Sequence, residues 1–321
     1  MFRILGMGNA LTDVLIPVET DEMLHELRLP KGSMQLIDHS QFINIQKRIS
    51  DFSTSLVCGG SAANTITGAA RLGLQAGFIG KIHEDEVGKN YRRNLKSYGV
   101  SPLLLDDVQP SGRSLVFITP DGERTFATYL GAAGALRPDG LTPDMFSSYD
   151  LFYIEGYLVQ DHELIQTALY MAKEAGLKTA LDLASFNVVE SNRDFLKSLI
   201  ESYVDIVFAN EEESKALTGM DPDDALAWIG SKADVSVVKL GSKGAMAMRG
   251  TEKVQIPATV SHCVDSTGAG DLFASGFLYG MSLDRTLTDC VRYGTITAGK
   301  VIEFIGPKMD NQGWESIMND L

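Results

Sequence analysis

Asp265-Ser266-Thr267-Gly268-Ala269-Gly270-Asp271 runs straight into the mostly apolar stretch Leu272-Phe273-Ala274-Ser275-Gly276-Phe277. The glycines let the backbone turn sharply, and the apolar stretch reads as the first turns of a buried helix. The amides of Gly268, Ala269 and Gly270 then lie at a helix N-terminus, where unpaired N–H groups and the helix dipole favour an anion. Asp271 beside such an anion hole cannot itself hold the anion. It suits a general base that takes a proton from a hydroxyl attacking a bound phosphoryl group. The plainer alternative is an Asp capping a helix after a glycine turn.

Far upstream stands Gly59-Gly60-Ser61-Ala62-Ala63-Asn64-Thr65, which continues through Ile66, Ala69, Ala70 and Leu72 to Gly73. This pattern predicts a helix closed by a glycine cap. The paired glycines allow backbone to approach a ligand, and Asn64 offers donor and acceptor to a polyol. Alternatively, Asn64 is merely exposed on a tight helix start.

The two segments together resemble the signatures of the PfkB/ribokinase family of small-molecule kinases, G-G-x-x-x-N and D-T-x-G-A-G-D, in the family's order. Ser266 stands where the family often has Thr and keeps the hydroxyl. The resemblance spans essentially the whole chain. It implies ATP and magnesium as cofactors and an α/β fold, a three-layer αβα arrangement with a mostly parallel central sheet and a small inserted β-sheet lid. Asp271 is then the catalytic base, with Gly268, Ala269 and Gly270 as the anion hole. Asn9 and Asp13, after the first strand, match residues that bind sugar hydroxyls, joined by Gly59, Gly60, Ser61 and Asn64. Asn210 and Glu213 match an N-x-x-E motif that holds magnesium, usually through water. Lys239, Gly241 and Gly244, with Asn210, fall in the nucleotide-binding segment, where Lys239 is either a phosphate ligand or a surface residue. Asp265 becomes a candidate ligand for a monovalent cation such as potassium, or a structural residue.

The acceptor is a sugar or a nucleoside. Asn9-Ala10-Leu11-Thr12-Asp13 has the N-x-x-x-D spacing of the adenosine-kinase branch. A long helical insert and Lys31-Gly32-Ser33-Met34-Gln35-Leu36 resemble that branch's lid, which puts Gln35 and Ile37 against the base. The expected reaction is therefore phosphorylation of a primary hydroxyl of an adenosine-like nucleoside, with a sugar kinase acting on ribose or fructose as the alternative. A catalytically dead sensor is disfavoured by the intact Asp271. An NAD enzyme built on Gly6-Met7-Gly8 lacks the third glycine of the dinucleotide fingerprint, since Leu11 stands there. Gly294-Thr295-Ile296-Thr297-Ala298-Gly299-Lys300-Val301 mimics a phosphate-binding loop, but Val301 replaces the hydroxyl and Leu287–Ile302 reads as a helix.

A net charge of −14 argues against nucleic acid or an anionic membrane as partner. Cys58, Cys263 and Cys290 have no metal-ligand spacing and read as small buried hydrophobes in a reducing compartment. No apolar run approaches the roughly 18 residues of a membrane-crossing helix, and the start is too short for a signal peptide. A cytoplasmic enzyme is expected, either a monomer or a lid-mediated homodimer. Apolar runs at Phe2–Leu5, Ala76–Ile79, Leu151–Ile154, Lys178–Leu183, Ile206–Phe208 and Val235–Leu240 predict buried strands. The intervening helices fall at His162–Ala175, Arg193–Ser202, Glu211–Leu217 and Ala225–Lys232. Val14–Glu19 with Ser33–Asp38, and Leu103–Asp106 with Arg113–Thr119 and Arg124–Leu130, predict hairpin strands of the lid, with a turn at Pro120-Asp121-Gly122. The expected division is a core of residues 1–12, 39–101 and 131–321 and a lid of residues 13–38 and 102–130.

Overall fold

The computed structural model describes residues 2–121 and 123–321, so Gly122 of the expected turn lies outside the described residues. Nine strands build a large sheet: β1 (Arg3–Met7), β5 (Gln75–Ile82), β6 (Val100–Asp106), β9 (Leu151–Glu155), β10 (Lys178–Asp182), β11 (Ile206–Asn210), β12 (Val235–Lys239), β13 (Ala245–Arg249) and β14 (Glu252–Ile256). Their order is β14-β13-β12-β11-β10-β9-β1-β5-β6. All neighbours from β12 to β6 pair in parallel, and β13 and β14 add an antiparallel edge. Five more strands form a second sheet, β3-β8-β7-β2-β4: β2 (Leu11–Pro17), β3 (Met34–Leu36), β4 (Ser55–Gly59), β7 (Gly112–Ile118) and β8 (Arg124–Tyr129).

Helices cover both faces of the large sheet. On one face lie α3 (Ser61–Arg71), α4 (Glu86–Ser97), α10 (Ala269–Ser282) and α11 (Leu287–Val301), packed on Ile4, Phe78, Tyr153 and Phe208. On the other lie α5 (His162–Glu174), α6 (Phe186–Ser191), α7 (Arg193–Tyr203), α8 (Glu211–Thr218) and α9 (Pro222–Gly230), against Leu5, Phe152, Leu181 and Val207. Successive strand residues thus enter opposite cores, which is why these strands are apolar without alternation. Helix α12 (Asn311–Asp320) seats Trp314 and Ile317 beside Leu272 and Val301. Helices α1 (Glu22–Leu27) and α2 (His39–Arg48) pack on the small sheet, where Leu24, Phe42 and Ile45 meet Ile16, Leu115 and Phe117.

Two expectations are corrected. Leu103–Asp106 lies in β6, paired with β5 at the edge of the large sheet, and not in a lid hairpin. Its Leu103-Leu104-Leu105 run has no polar alternation, as suits a parallel strand, and Pro102 is tolerated because β6 is an edge. The insert after β2 is helical only over the six residues of α1. The hairpin of β7 and β8 is present, while β2 pairs with β4 and β7, and β3 with β8.

Candidate active site

Five polar side chains stand at the carboxyl ends of parallel strands: Asn9 just past β1, Glu155 on β9, Asp182 on β10, Asn210 on β11 and Lys239 on β12. β1 lies between β5 and β9, so the chain runs outward in both directions from it. Open α/β sheets bind ligands at such a switch point. All five residues line one cavity of about 1270 Å³, which is roofed by the small sheet.

Asp271 sits in the first turn of α10, whose N-cap is Gly268. Gly268 has φ +79°, and a Cβ there would meet Pro307 at 2.5 Å, so only glycine fits this turn. The Ala269 amide bonds the Ser266 carbonyl at 3.2 Å. The amides of Gly268, Gly270 and Asp271 have no partner among the described residues, so these three, and not Ala269, are free to meet an anion. Asp271 Oδ1 accepts from Ser61 Oγ at 2.7 Å, and Oδ2 from Asn64 Nδ2 at 2.9 Å. Ser275 Oγ donates to the Thr65 carbonyl at 2.8 Å, tying α10 to α3. Ser61 and Asn64 therefore orient the carboxylate, and Asn64 Oδ1 is buried without a partner among the described residues. Burial pushes Asp271 up to about 6 against those two hydrogen bonds, with repulsion from Asp182 adding to the rise.

Lys239 is no surface residue. Its Nζ pairs with Asp182 Oδ2 at 2.8 Å, and a Cβ on Gly270 would lie 3.2 Å from that ammonium. The cation thus stands beside the turn that opens α10. Burial alone would lower Lys239, but Asp182 and Glu213 outweigh it and hold the ammonium charged. Glu213 and Asn210 form a reciprocal cap on α8: Glu213 Oε2 accepts from the Asn210 amide and Oε1 from Asn210 Nδ2, both at 2.8 Å. Burial raises Glu213 to about 7; Lys239 opposes the rise and Asp182 reinforces it. Among the described residues no three carboxylate, Cys or His groups converge as a direct metal cage. The donor set instead suits a hydrated magnesium ion, since Glu213 and Asp182 face the cavity as like charges that a divalent cation would relieve.

Asp13 on β2 faces the cavity, and its carboxylate has no hydrogen-bond donor among the described residues. Gly59 flanks it; a Cβ there would lie 3.0 Å from Asp13 Oδ2. Burial raises Asp13 to about 7, against the attraction of Arg124 and Lys308. Gly60, at φ +95°, lets α3 begin against the Asn9 carbonyl. Glu155 was not legible as a site residue. It is buried, accepts from the Asn9 amide (2.9 Å), Asn9 Nδ2 (2.8 Å) and the Ala62 amide (2.9 Å), and so fixes both segments around the acceptor. Burial raises it to about 7. One signal for Glu155 and Asp182 was present: each is the lone acidic residue closing a buried apolar strand, LFYIE and KTALD.

Several expectations shift. Gln35 and Ile37 are not on the cavity wall; Met34 and Leu36 are. Alternate residues of a strand face opposite sides, and Ile37 packs instead with the cluster around Phe42. Asp265 is bound on every side by protein donors, Arg124 above all at 2.6 Å. Gly6 and Gly8 cradle no dinucleotide; side chains there would strike Ile66 and Glu155. The segment that mimics a phosphate loop is indeed within α11, and its small residues Thr295, Ala298 and Gly299 line the cavity opposite the turn of Gly241 and Gly244.

Comparison with known proteins places this geometry in a class. The profile of the pfkB family carbohydrate kinases matches residues 33–311, and the chain belongs to that family. Its members are ATP-dependent phosphotransferases acting on hydroxyl groups of sugars and nucleosides, and this chain is such an enzyme. An adenosine kinase structure from Sinorhizobium meliloti is 34% identical, with a TM-score of 0.89, over 100% of this chain and 99% of that one. A probable sugar kinase structure from Rhizobium etli is 33% identical, with a TM-score of 0.89, over 99% and 98%. Aminoimidazole riboside kinase of Salmonella typhimurium is 32% identical over 70% of this chain and 73% of its own. No helix among the described residues is long and apolar enough to cross a membrane.

Proposed function

We propose that this enzyme transfers the γ-phosphoryl group of ATP to a primary hydroxyl of a nucleoside, adenosine or a close relative. The acceptor oxygen attacks the γ-phosphorus while Asp271 takes its proton; the bond from the γ-phosphorus to the bridging β–γ oxygen breaks, and ADP leaves. The free amides of Gly268, Gly270 and Asp271, with Lys239, stabilise charge on the transferring group. Magnesium, bound through water near Asn210 and Glu213, would neutralise the phosphates. Asp13 accepts from the sugar hydroxyls, as does the unpartnered Asn64 Oδ1.

One observation carries the choice of acceptor. Asp13, Ser114, Thr128 and Leu36 are register partners in a row across β2, β7, β8 and β3, and all four line the cavity. Three strand spacings put Leu36 roughly 14 Å from Asp13. Met34 and Leu36 are exposed (42% and 47%) and, with Phe126, present an apolar wall there. A pentose held at Asp13 does not need that wall; a flat base joined to the pentose does. The adenosine kinase from Sinorhizobium meliloti, alike over the full length, supports the same reading.

The test is kcat/KM for adenosine, ribose and fructose. Adenosine is expected to lead, and Leu36→Ala with Met34→Ala should weaken adenosine while leaving ribose turnover unchanged. A free sugar preferred by ~10-fold, about 1.4 kcal/mol of transition-state binding, would transfer the protein to the sugar-kinase reading.

A further inference from the structure

Asp265 lies two residues before the anion-hole turn, where a monovalent cation was a candidate. Its carboxylate has no room for one. Oδ1 accepts from the Thr267 amide at 3.0 Å and from Thr267 Oγ1 at 2.7 Å. Oδ2 accepts from the Gly306 amide at 2.5 Å and pairs with Arg124 Nη2 at 2.6 Å. A carboxylate offers about four lone-pair directions, and four donors take them. The Gly306 amide also presents a positive N–H end where a cation would require a carbonyl oxygen. The residues do not fit the ion.

Arg124 belongs to a different part of the molecule. It opens β8 of the small sheet, and its second arm, Nη1, donates to Thr267 Oγ1 at 3.3 Å. Both ends of the pair are nearly sealed, at 13% and 10% side-chain exposure. The guanidinium thus bridges the lid to the loop that leads into Gly268 and Asp271. Its planar fork reaches both the carboxylate and the hydroxyl, which a lysine ammonium at the end of a flexible stem does not reproduce.

We propose that the Arg124 guanidinium occupies the place of a monovalent cation at Asp265, so that catalysis needs no potassium, and that Arg124 is a positioning residue through which the lid orders the anion-hole loop. An enzyme that used a free ion would set this loop whether the lid was open or closed. Here the charge that orders the loop arrives on β8, so the anion hole is fully formed only when the lid is down. The proposal rests on the kinase reading above, but part of its test needs no acceptor.

Wild-type turnover is measured with ATP and adenosine, ribose or fructose in potassium, sodium or tetramethylammonium chloride at fixed ionic strength. Rates are expected within ~2-fold of one another, and activation by potassium of ~5-fold or more would overturn the proposal. Thermal melting of the protein without substrates, in potassium against tetramethylammonium, should give the same Tm, and stabilisation specific to potassium would count against it. That measurement stands even if none of these acceptors is phosphorylated. Arg124→Ala opens the carboxylate and should lower kcat by ~10-fold or more, with partial recovery in tens of millimolar guanidinium or in potassium, and with less recovery for Arg124→Lys. A folded Arg124→Ala enzyme that responds to neither cation, or that keeps wild-type kcat, refutes the positioning role. If that variant does not fold, the wild-type cation series decides.

Discussion

Replacing Asp271 by Asn should make the protein a much slower enzyme and a more stable one. The carboxylate's rise from 3.8 to about 6 means that folding must hold a charge that its surroundings disfavour. Taken at face value the rise corresponds to about 3 kcal/mol; because Asp271 borders an open cavity, about 1–3 kcal/mol is the better expectation. Asn removes the charge and keeps the shape. Ser61 can still donate to the new carbonyl, and Asn64 can turn its unpartnered Oδ1 toward the new amide. Tm at pH 7.5 is therefore expected to rise by a few degrees. Turnover should fall by ~100-fold or more, the usual scale for loss of a general base, with ATP binding nearly unchanged. The wild-type kcat/KM should show the matching pH dependence. With a midpoint near 6, about a tenth of Asp271 is ionised at pH 5 and about nine tenths at pH 7, so the rate climbs ~10-fold across that range. Steady-state kinetics from pH 5 to 8 and differential scanning calorimetry of both proteins test the argument. Near-wild-type turnover in Asp271→Asn, or a wild-type profile flat through pH 6, would refute it.

Glu155→Gln puts an NH₂ donor opposite the Ala62 amide or the Asn9 donors, so it should cost about 1–3 kcal/mol of stability and raise KM for the acceptor more than KM for ATP; an equal fold-rise in both KM values would leave Glu155 a purely structural residue. Glu213→Gln keeps one of the two acceptors for Asn210 and loses the charge facing the cavity, so the magnesium concentration for half-maximal rate should rise; an unchanged magnesium titration would reduce Glu213 to a helix cap.

The turn proposed as the anion hole was legible because it is local. A glycine turn, an acid and an apolar helix are adjacent in the chain, and the structure keeps them adjacent. The buried strands were legible because each enters two cores and so contains almost no polar residue. The sheet to which a strand belongs is a non-local property, which is why Leu103–Asp106 was misplaced and β4 was not foreseen. β3 failed differently. Its apolar Met34 and Leu36 alternate with Gln35, so the two faces could be told apart, but nothing local says that the apolar face looks into a cavity and not into a core. Ile37 lies beyond the strand's end and turns to the lid cluster. The Arg124–Asp265 pair joins two distant segments, and neither segment alone names the other as its partner.

Four carboxylates that line the cavity share one physical condition. Asp13, Glu155 and Glu213 are raised to about 7 and Asp271 to about 6, in each case chiefly by burial. A raised carboxylate binds its proton more tightly folded than unfolded. Between the unfolded value near 4 and the folded values of 6 to 7, the folded state therefore carries more protons, and stability from these groups falls as pH rises through that window. With Asp271 as the proposed base, activity runs the other way, since the base must be ionised to accept a proton. The same burial leaves Asp13 an acceptor that no donor among the described residues satisfies, which the proposed binding of sugar hydroxyls uses. The two apolar cores on either side of the sheet supply the stability against which these charges are held at the strand ends. On the proposed function, what this cavity lacks is what the reaction brings: hydroxyl donors at Asp13, a divalent cation near Glu213 and phosphate oxygens at Lys239 and the free amides of α10.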